Sequence, residues 1–271
     1  MENKFTPALQ KIYEKSLKNK ELQKIKTQKE REDNENRNVI QLPVWPDGVR
    51  AIPNSILRGS LFAAIPPNSA GYIQKKPLLD TKNIAILFTG QQLTQSDLKV
   101  WEYTLHLARK KNLGYQVKFK AHSFLKAIGR TTSKRDYEWL DLTITKLSSC
   151  TVEIQHDSNC YGGSLVDEYF RDLKTREYIL AINPRLSRLY EAGHTYCSVE
   201  DKNKIGKKKY MAQWLYGYIS SHVQFYPHKI ETLLERSGSK SKNIRSFKQN
   251  LTSALKHLHD LELINGFSFS E

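Results

Sequence analysis

The stretches Thr94–Lys110, TQSDLKVWEYTLHLARK, and Ala121–Cys150, AHSFLKAIGRTTSKRDYEWLDLTITKLSSC, decide the fold. In the first, Thr94 and Asp97 form a relaxed capping box, and Leu98, Trp101, Leu105 and Ala108 then recur at helical spacing. Gln116–Lys120 reads as a short strand, and His122–Ile128 as a short helix stopped by Gly129. Ser133 and Asp136 cap another helix, whose apolar face is Tyr137, Leu140, Ile144 and Leu147. Strands at Thr151–His156 and Gly163–Tyr169 flank the turn DSNCYG. The order helix, strand, helix, turn, helix, hairpin is that of a helix-turn-helix followed by a β-hairpin wing.

The pattern recurs downstream. Met211, Trp214, Leu215 and Tyr218 mark a helix, Pro227 opens a second that stops before Gly238, and after SGSKSK a longer helix carries Phe247, Leu251, Leu255 and Leu258. The offset of 111 between the two sets of leucines, against 109 between Gly129 and Gly238, predicts a second turn two residues longer than the first. A period this long indicates duplicated domains. The fold class expected is α+β, mostly helical, with two tandem winged-helix domains at residues 41–200 and 201–271 behind a mobile tail, residues 1–40. Folding is expected to start at LPVWPDG, after which Asn54–Ile65 has helical length, a Pro, Gly and Asn-rich loop follows, and Ile84–Phe88 is a short strand. Asn183-Pro184 opens a short helix, and the lysine-rich segment from Lys202 joins the halves.

The chain has 271 residues, 43 Lys+Arg against 28 Asp+Glu and a net charge of +15. Lys202–Lys256 alone holds twelve basic residues against Glu231 and Glu235. Such concentration points to a polyanionic partner. No run of about 18 apolar residues and no apolar signal core occurs, so a soluble, cytoplasmic protein without a membrane partner is expected. Cys150, Cys160 and Cys197 lack metal or disulfide spacing, so neither a structural metal nor a cofactor is expected.

A recognition helix enters the major groove N-terminus first, and Arg or Lys with Asn or Gln is the chemistry that separates G from A. The leading residues are Arg130, Thr131, Thr132, Ser133, Lys134 and Arg135 in the first copy, and Lys240, Ser241, Lys242, Asn243, Arg245, Lys248 and Gln249 in the second. Lys207, Lys208 and Lys209 are placed to reach phosphates. The competing reading is that these are solvated helix starts. Trp101, Trp139 and Trp214 are read as core rather than as stacking platforms. Leu61-Phe62 is either a core pair or an exposed anchor for a groove on a partner. Enzyme signals are weak: there is no phosphate-binding GxxxxGK[ST], and His257 and His259, two apart on a helix, point in different directions.

On these residues the chain resembles the TrfA-type replication initiators of broad-host-range plasmids. The segments that carry the resemblance are LPVWPDGVRAIPNSILRGSLFAAI, LTQSDLKVWEYTLHLARK, AHSFLKAIGRTT, YGGSLVDEYFRD, LAINPRLSRLY and AQWLYGYISSH. The resemblance implies two winged-helix domains on directly repeated origin sequences (iterons), opening of an adjacent AT-rich region, and recruitment of the host replicative helicase and sliding clamp. It also implies an inactive dimer in equilibrium with an active monomer. It assigns major-groove contact to Lys240, Lys242, Arg245 and Lys248, and clamp contact to Leu61 and Phe62. The function expected is therefore a non-enzymatic plasmid replication initiator, with a sequence-specific transcriptional repressor as the alternative.

Overall fold

In the computed structural model the described residues are 42–80, 84–110, 116–156, 159–191 and 193–269; the expected tail lies outside them. The first helix-turn-helix forms where the spacing places it. Helices α2 (Gln95–Ala108), α3 (Ala121–Ala127) and α4 (Lys134–Ser149) take their numbers after a one-turn α1 (Asn54–Leu57). The Thr94–Asp97 capping box closes the start of α2, and Leu98, Trp101, Leu105 and Ala108 are all buried. Leu140, Ile144 and Leu147 of α4 are at most 1% exposed.

The chain before α2 builds more sheet than the sequence reading anticipates. Strand β1 (Val49–Pro53) is followed by β2 (Phe62–Ala63), β3 (Tyr72–Asp80), β4 (Ile84–Gln91) and β5 (Leu93–Thr94). The expected helix over Asn54–Ile65 therefore stops after four residues. At Gly59 the chain runs under β3, where an added Cβ would sit 2.8 Å from the Leu78 carbonyl oxygen, and Ser60 N–H donates to that oxygen at 3.0 Å. The expected Pro-rich loop contains β3, nine residues long. Pro77 is tolerated there because β3 is an edge strand with two register shifts.

After α4 comes β7 (Thr151–His156), numbered after β6 (Gln116–Lys120). The expected single strand at Gly163–Tyr169 is two strands, β8 (Asn159–Gly163) and β9 (Val166–Arg171), divided between sheets. One sheet has the order β3-β4-β7-β8; the other places β10 (Glu177–Ile182) between β6 and β9. Helix α5 (Arg188–Glu191) then leads into β11 (His194–Ser198), which pairs antiparallel with β1, Ala51 opposite Tyr196.

The lysine-rich segment expected to join the halves begins inside helix α6 (Val199–Ile205), at Lys202. The Lys202 ammonium is buried and paired with Glu102 of α2. The second unit is α7 (Tyr210–Ser220), α8 (Ile230–Ser237) and α9 (Ile244–Asp260). Phe247, Leu251 and Leu258 are at most 1% exposed, with Ala254 completing the buried face. The two turns, residues 128–133 and 238–243, are equal in length, contrary to the expected difference. One residue of the expected difference arises because Gly238 is the C-cap of its helix whereas Gly129 lies one place beyond its cap, Ile128, and the other because Leu251 sits one place further into its helix than Leu140 does. Among the described residues no strand follows α9, so no hairpin wing is seen in the second unit. Helices and strands share the chain, and "mostly helical" overstates the helical part.

The segment Arg58–Ile65 is the seam between the units. Trp214 Nε1–H donates to the Gly59 carbonyl at 3.2 Å, Ala64 N–H to the Ser237 carbonyl at 2.8 Å, and the Arg58 guanidinium to Ser221. Gly217 admits Leu57, whose Cδ2 would lie 2.7 Å from an added Cβ. A matched pair of substitutions isolates this packing. Gly129 and Gly238 have φ of 72° and 63°, so alanine at either carries the left-handed penalty of about 1–2 kcal/mol. At Gly238 the new Cβ would also lie 2.9 Å from Cβ of both Ala63 and Ser60, whereas at Gly129 its nearest neighbour is 3.8 Å away. Gly238→Ala should therefore cost about 1–3 kcal/mol more than Gly129→Ala in urea unfolding; equal losses would contradict a close-packed seam.

Candidate nucleic-acid interface

The two turns hold their polar residues differently. In the first, Asp136 near the start of α4 gathers the chain around it. Thr131 Oγ1–H donates to its carboxylate, Ser133 Oγ–H donates at 2.8 Å, and the Arg130 guanidinium donates at 2.8 Å while lying 3.3 Å over the Trp139 ring. Ser133 Oγ in turn accepts from Asp136 N–H at 3.3 Å. The bonds from Thr131, Ser133 and Arg130 pull the Asp136 carboxyl down to about 2. Three of the six residues read as DNA contacts thus order the turn itself. Arg135 points to solvent, Thr132 is half-buried, and Lys134 is 91% exposed with only a loose 3.9 Å pairing to Glu138.

Around the second turn Lys242, Arg245 and Lys248 have no ion-pair partner among the described residues. Asn243 caps α9, its side chain accepting from Ser246 N–H at 2.8 Å. Behind that cap Lys242, Arg245, Lys248 and Gln249 are exposed. Lys248 lies 4.9 Å from the centre of the Phe269 ring. Ser241 is half-buried and shares a hydrogen bond with Ser239, and Lys240 is tethered to the Ser69 carbonyl. Lys207, Lys208 and Lys209 are exposed in the link between α6 and α7.

Trp101 and Trp214 are core residues, 1% and 2% exposed. Trp139, read as core, is instead half-buried and covered by Arg130. Asp136 was legible only as a helix-cap residue. His257 donates Nε2–H to the Ile205 carbonyl at 3.0 Å, and His259 sits 3.9 Å from Asp260, so the two rings face different partners.

Leu61 and Phe62 are each 1% exposed, which corrects their reading as an exposed clamp-binding anchor. Phe62 packs on Trp101 with ring centres 5.6 Å apart, and its carbonyl accepts from Gln95 Nε2–H. Phe62 opens β2 opposite Leu93 of β5, and Leu61 immediately precedes that strand.

Two crystal structures of domains 2 and 3 of RctB are similar to this chain. One, of selenomethionine derivatives, has a TM-score of 0.54 at 15% identity and covers 76% of this chain and 85% of that one. The other has a TM-score of 0.53 at 14% identity, covering 76% and 83%. The TrfA protein family model matches residues 5–268, and the chain belongs to that family. A relative, the plasmid replication initiator protein TrfA of Escherichia coli, is 24% identical over 237 residues, which is 83% of this chain. The match spans 61% of the length of that relative.

Two outcomes test the site as described. The folded carboxyl of Asp136 lies below its unfolded value of 3.8, so its contribution to stability is present above that value and is lost as pH falls through about 2. Asp136→Asn should therefore be less stable than wild type at pH 7, and the difference should shrink in denaturant titrations as pH falls from about 5 to about 2. A constant gap would contradict the charge-held turn. Phe62→Ala should cost about 3–5 kcal/mol, seen as a collapsed thermal transition. An unchanged transition would return the pair to the surface.

Proposed function

We propose that the protein is a plasmid replication initiator that binds directly repeated origin DNA through its two helix-turn-helix units. The observation that carries the reading is the set of unpaired, exposed cations Lys242, Arg245 and Lys248 at the start of α9 in a chain of the TrfA family. Orphan N–H groups at a helix start and side chains that can fork onto guanine O6 and N7 fit a major-groove contact. The two DNA-binding parts are residues 41–200 and 201–271. The first unit contributes Thr132, Lys134 and Arg135 directly, with Arg130, Thr131 and Ser133 holding its turn. Lys240, Ser241, Asn243 and Gln249 complete the second, and Lys207–Lys209 reach phosphates.

Binding by both units strains the duplex, and the strain lowers the cost of opening an adjacent AT-rich tract. The protein then recruits the host replicative helicase and the sliding clamp, the latter through a surface other than Leu61-Phe62. An inactive dimer in equilibrium with the active monomer limits initiation. None of these steps calls for a catalytic group or a cofactor.

The experiment is a parallel titration on cognate and scrambled duplex. Arg245→Ala and Lys242→Ala should each lose about 1–3 kcal/mol of discrimination, whereas neutralising Lys207, Lys208 and Lys209 together should weaken both duplexes equally and flatten the salt dependence. A cognate-to-scrambled ratio unchanged in both Arg245→Ala and Lys242→Ala would move the specificity element to the first unit.

A further inference from the structure

A small cleft opens where α2, α6 and the turn after α3 meet. Its wall carries Arg50, Lys99 and Lys202 against a single carboxylate, Glu102, with Ile128 and Asn203 at its edge. Glu102 is already paired with the buried Lys202. Arg50 is buried and turns one guanidinium nitrogen to the Asp47 and Val49 carbonyls, at 2.9 and 2.7 Å. Lys99 is the remaining member. It is half-buried, and its ammonium has no hydrogen-bond or ion-pair partner among the described residues.

Three cations and one anion in a partly enclosed space leave an uncompensated positive charge, which is costly unless an anion enters. We propose that this cleft is a phosphate-binding site in which Lys99, backed by Arg50 and Lys202, holds one oxyanion oxygen. The size of the cleft decides the class of ligand. Its volume of about 20 Å³ holds one water-sized atom, which excludes a nucleotide, whose pocket runs to several hundred Å³. It admits an oxygen whose phosphorus stays outside, as in inorganic phosphate or the backbone of a duplex.

Burial lowers the affinity of Lys99 for its proton, and Lys202, Arg130 and Lys207 add like charge in the same direction against Glu102; it is this like charge that an entering oxyanion would offset. Arg130 belongs to the first turn and Lys207 to the basic run before α7, so the cleft lies in the field of both proposed DNA-contacting groups. A duplex as the source of the phosphate rests on the proposed function; inorganic phosphate does not.

The test uses the full chain as wild type, Lys99→Gln and Lys99→Arg. In one arm, melting is followed in inorganic phosphate against chloride at equal ionic strength. In the other, cognate and scrambled duplexes are titrated across salt concentrations. Wild type and Lys99→Arg should show a phosphate-specific rise in melting temperature that Lys99→Gln lacks. Lys99→Gln should also bind both duplexes about three- to tenfold more weakly, with a salt slope smaller by about one. Loss in the phosphate arm alone identifies free phosphate as the ligand, and loss in the duplex arm alone identifies the phosphodiester. If wild type binds no duplex at all, the proposed function fails and the phosphate arm decides the cleft by itself. Lys99→Gln matching wild type in every arm where wild type responds overturns the site.

Discussion

Everything in this molecule that faces outward depends on how Arg58–Ile65 is buried. Leu61, Phe62, Ala63 and Ala64 are at most 5% exposed, and the backbone around them is bonded to β3 on one side and to α7 and α8 on the other. A peptide group buried there without a partner would cost about 1–3 kcal/mol, so the bonds from β3, α7 and α8 stabilise the seam from both sides. Small residues make this possible: Gly59 lets the chain pass Leu78, Gly217 receives Leu57, and Gly238 leaves room for Ser60 and Ala63. The same glycine that ends α8 therefore also sets how closely that helix approaches the first unit.

On this frame the two turns divide their work. The first is held by a carboxylate whose partners include an arginine stacked on tryptophan, so its shape is set before any ligand arrives. Around the second, Lys242, Arg245 and Lys248 have no ion-pair partner among the described residues, so their charge is not neutralised from within. Exposed lysine pairs such as Lys134 with Glu138 add little, because solvent screens them. Lys202 shows the opposite case, a basic residue inside a basic segment that serves the core instead of the surface.

Helical spacing made the helix-turn-helix units legible, since Leu98, Trp101 and Leu105, or Phe247, Leu251 and Leu258, recur with the period of one face. A capping residue placed one helix start closely, Ser133 accepting the expected backbone bond, whereas Asn243, read only as a DNA contact, caps the other. The strands were harder to read. An edge strand such as β3 carries polar residues and a proline without alternation, and short strands such as β2 and β5 take their partners from distant sequence. Apolar content alone cannot separate four residues of helix from a buried extended segment, which is why Asn54–Ile65 read as one helix. In the site, residue types were legible but pairing was not. Nothing in the sequence marks Asp136 as the partner of Arg130, or Lys99 as the unpaired member of its cluster.

The central claim is that the seam makes the two units one cooperative body, which on the proposed function lets their basic faces act on DNA together. Differential scanning calorimetry of the full chain tests it most directly. A single transition whose calorimetric and van't Hoff enthalpies agree is the predicted result. Two resolved transitions, or a calorimetric enthalpy about twice the van't Hoff value, would show the units melting independently and contradict the account.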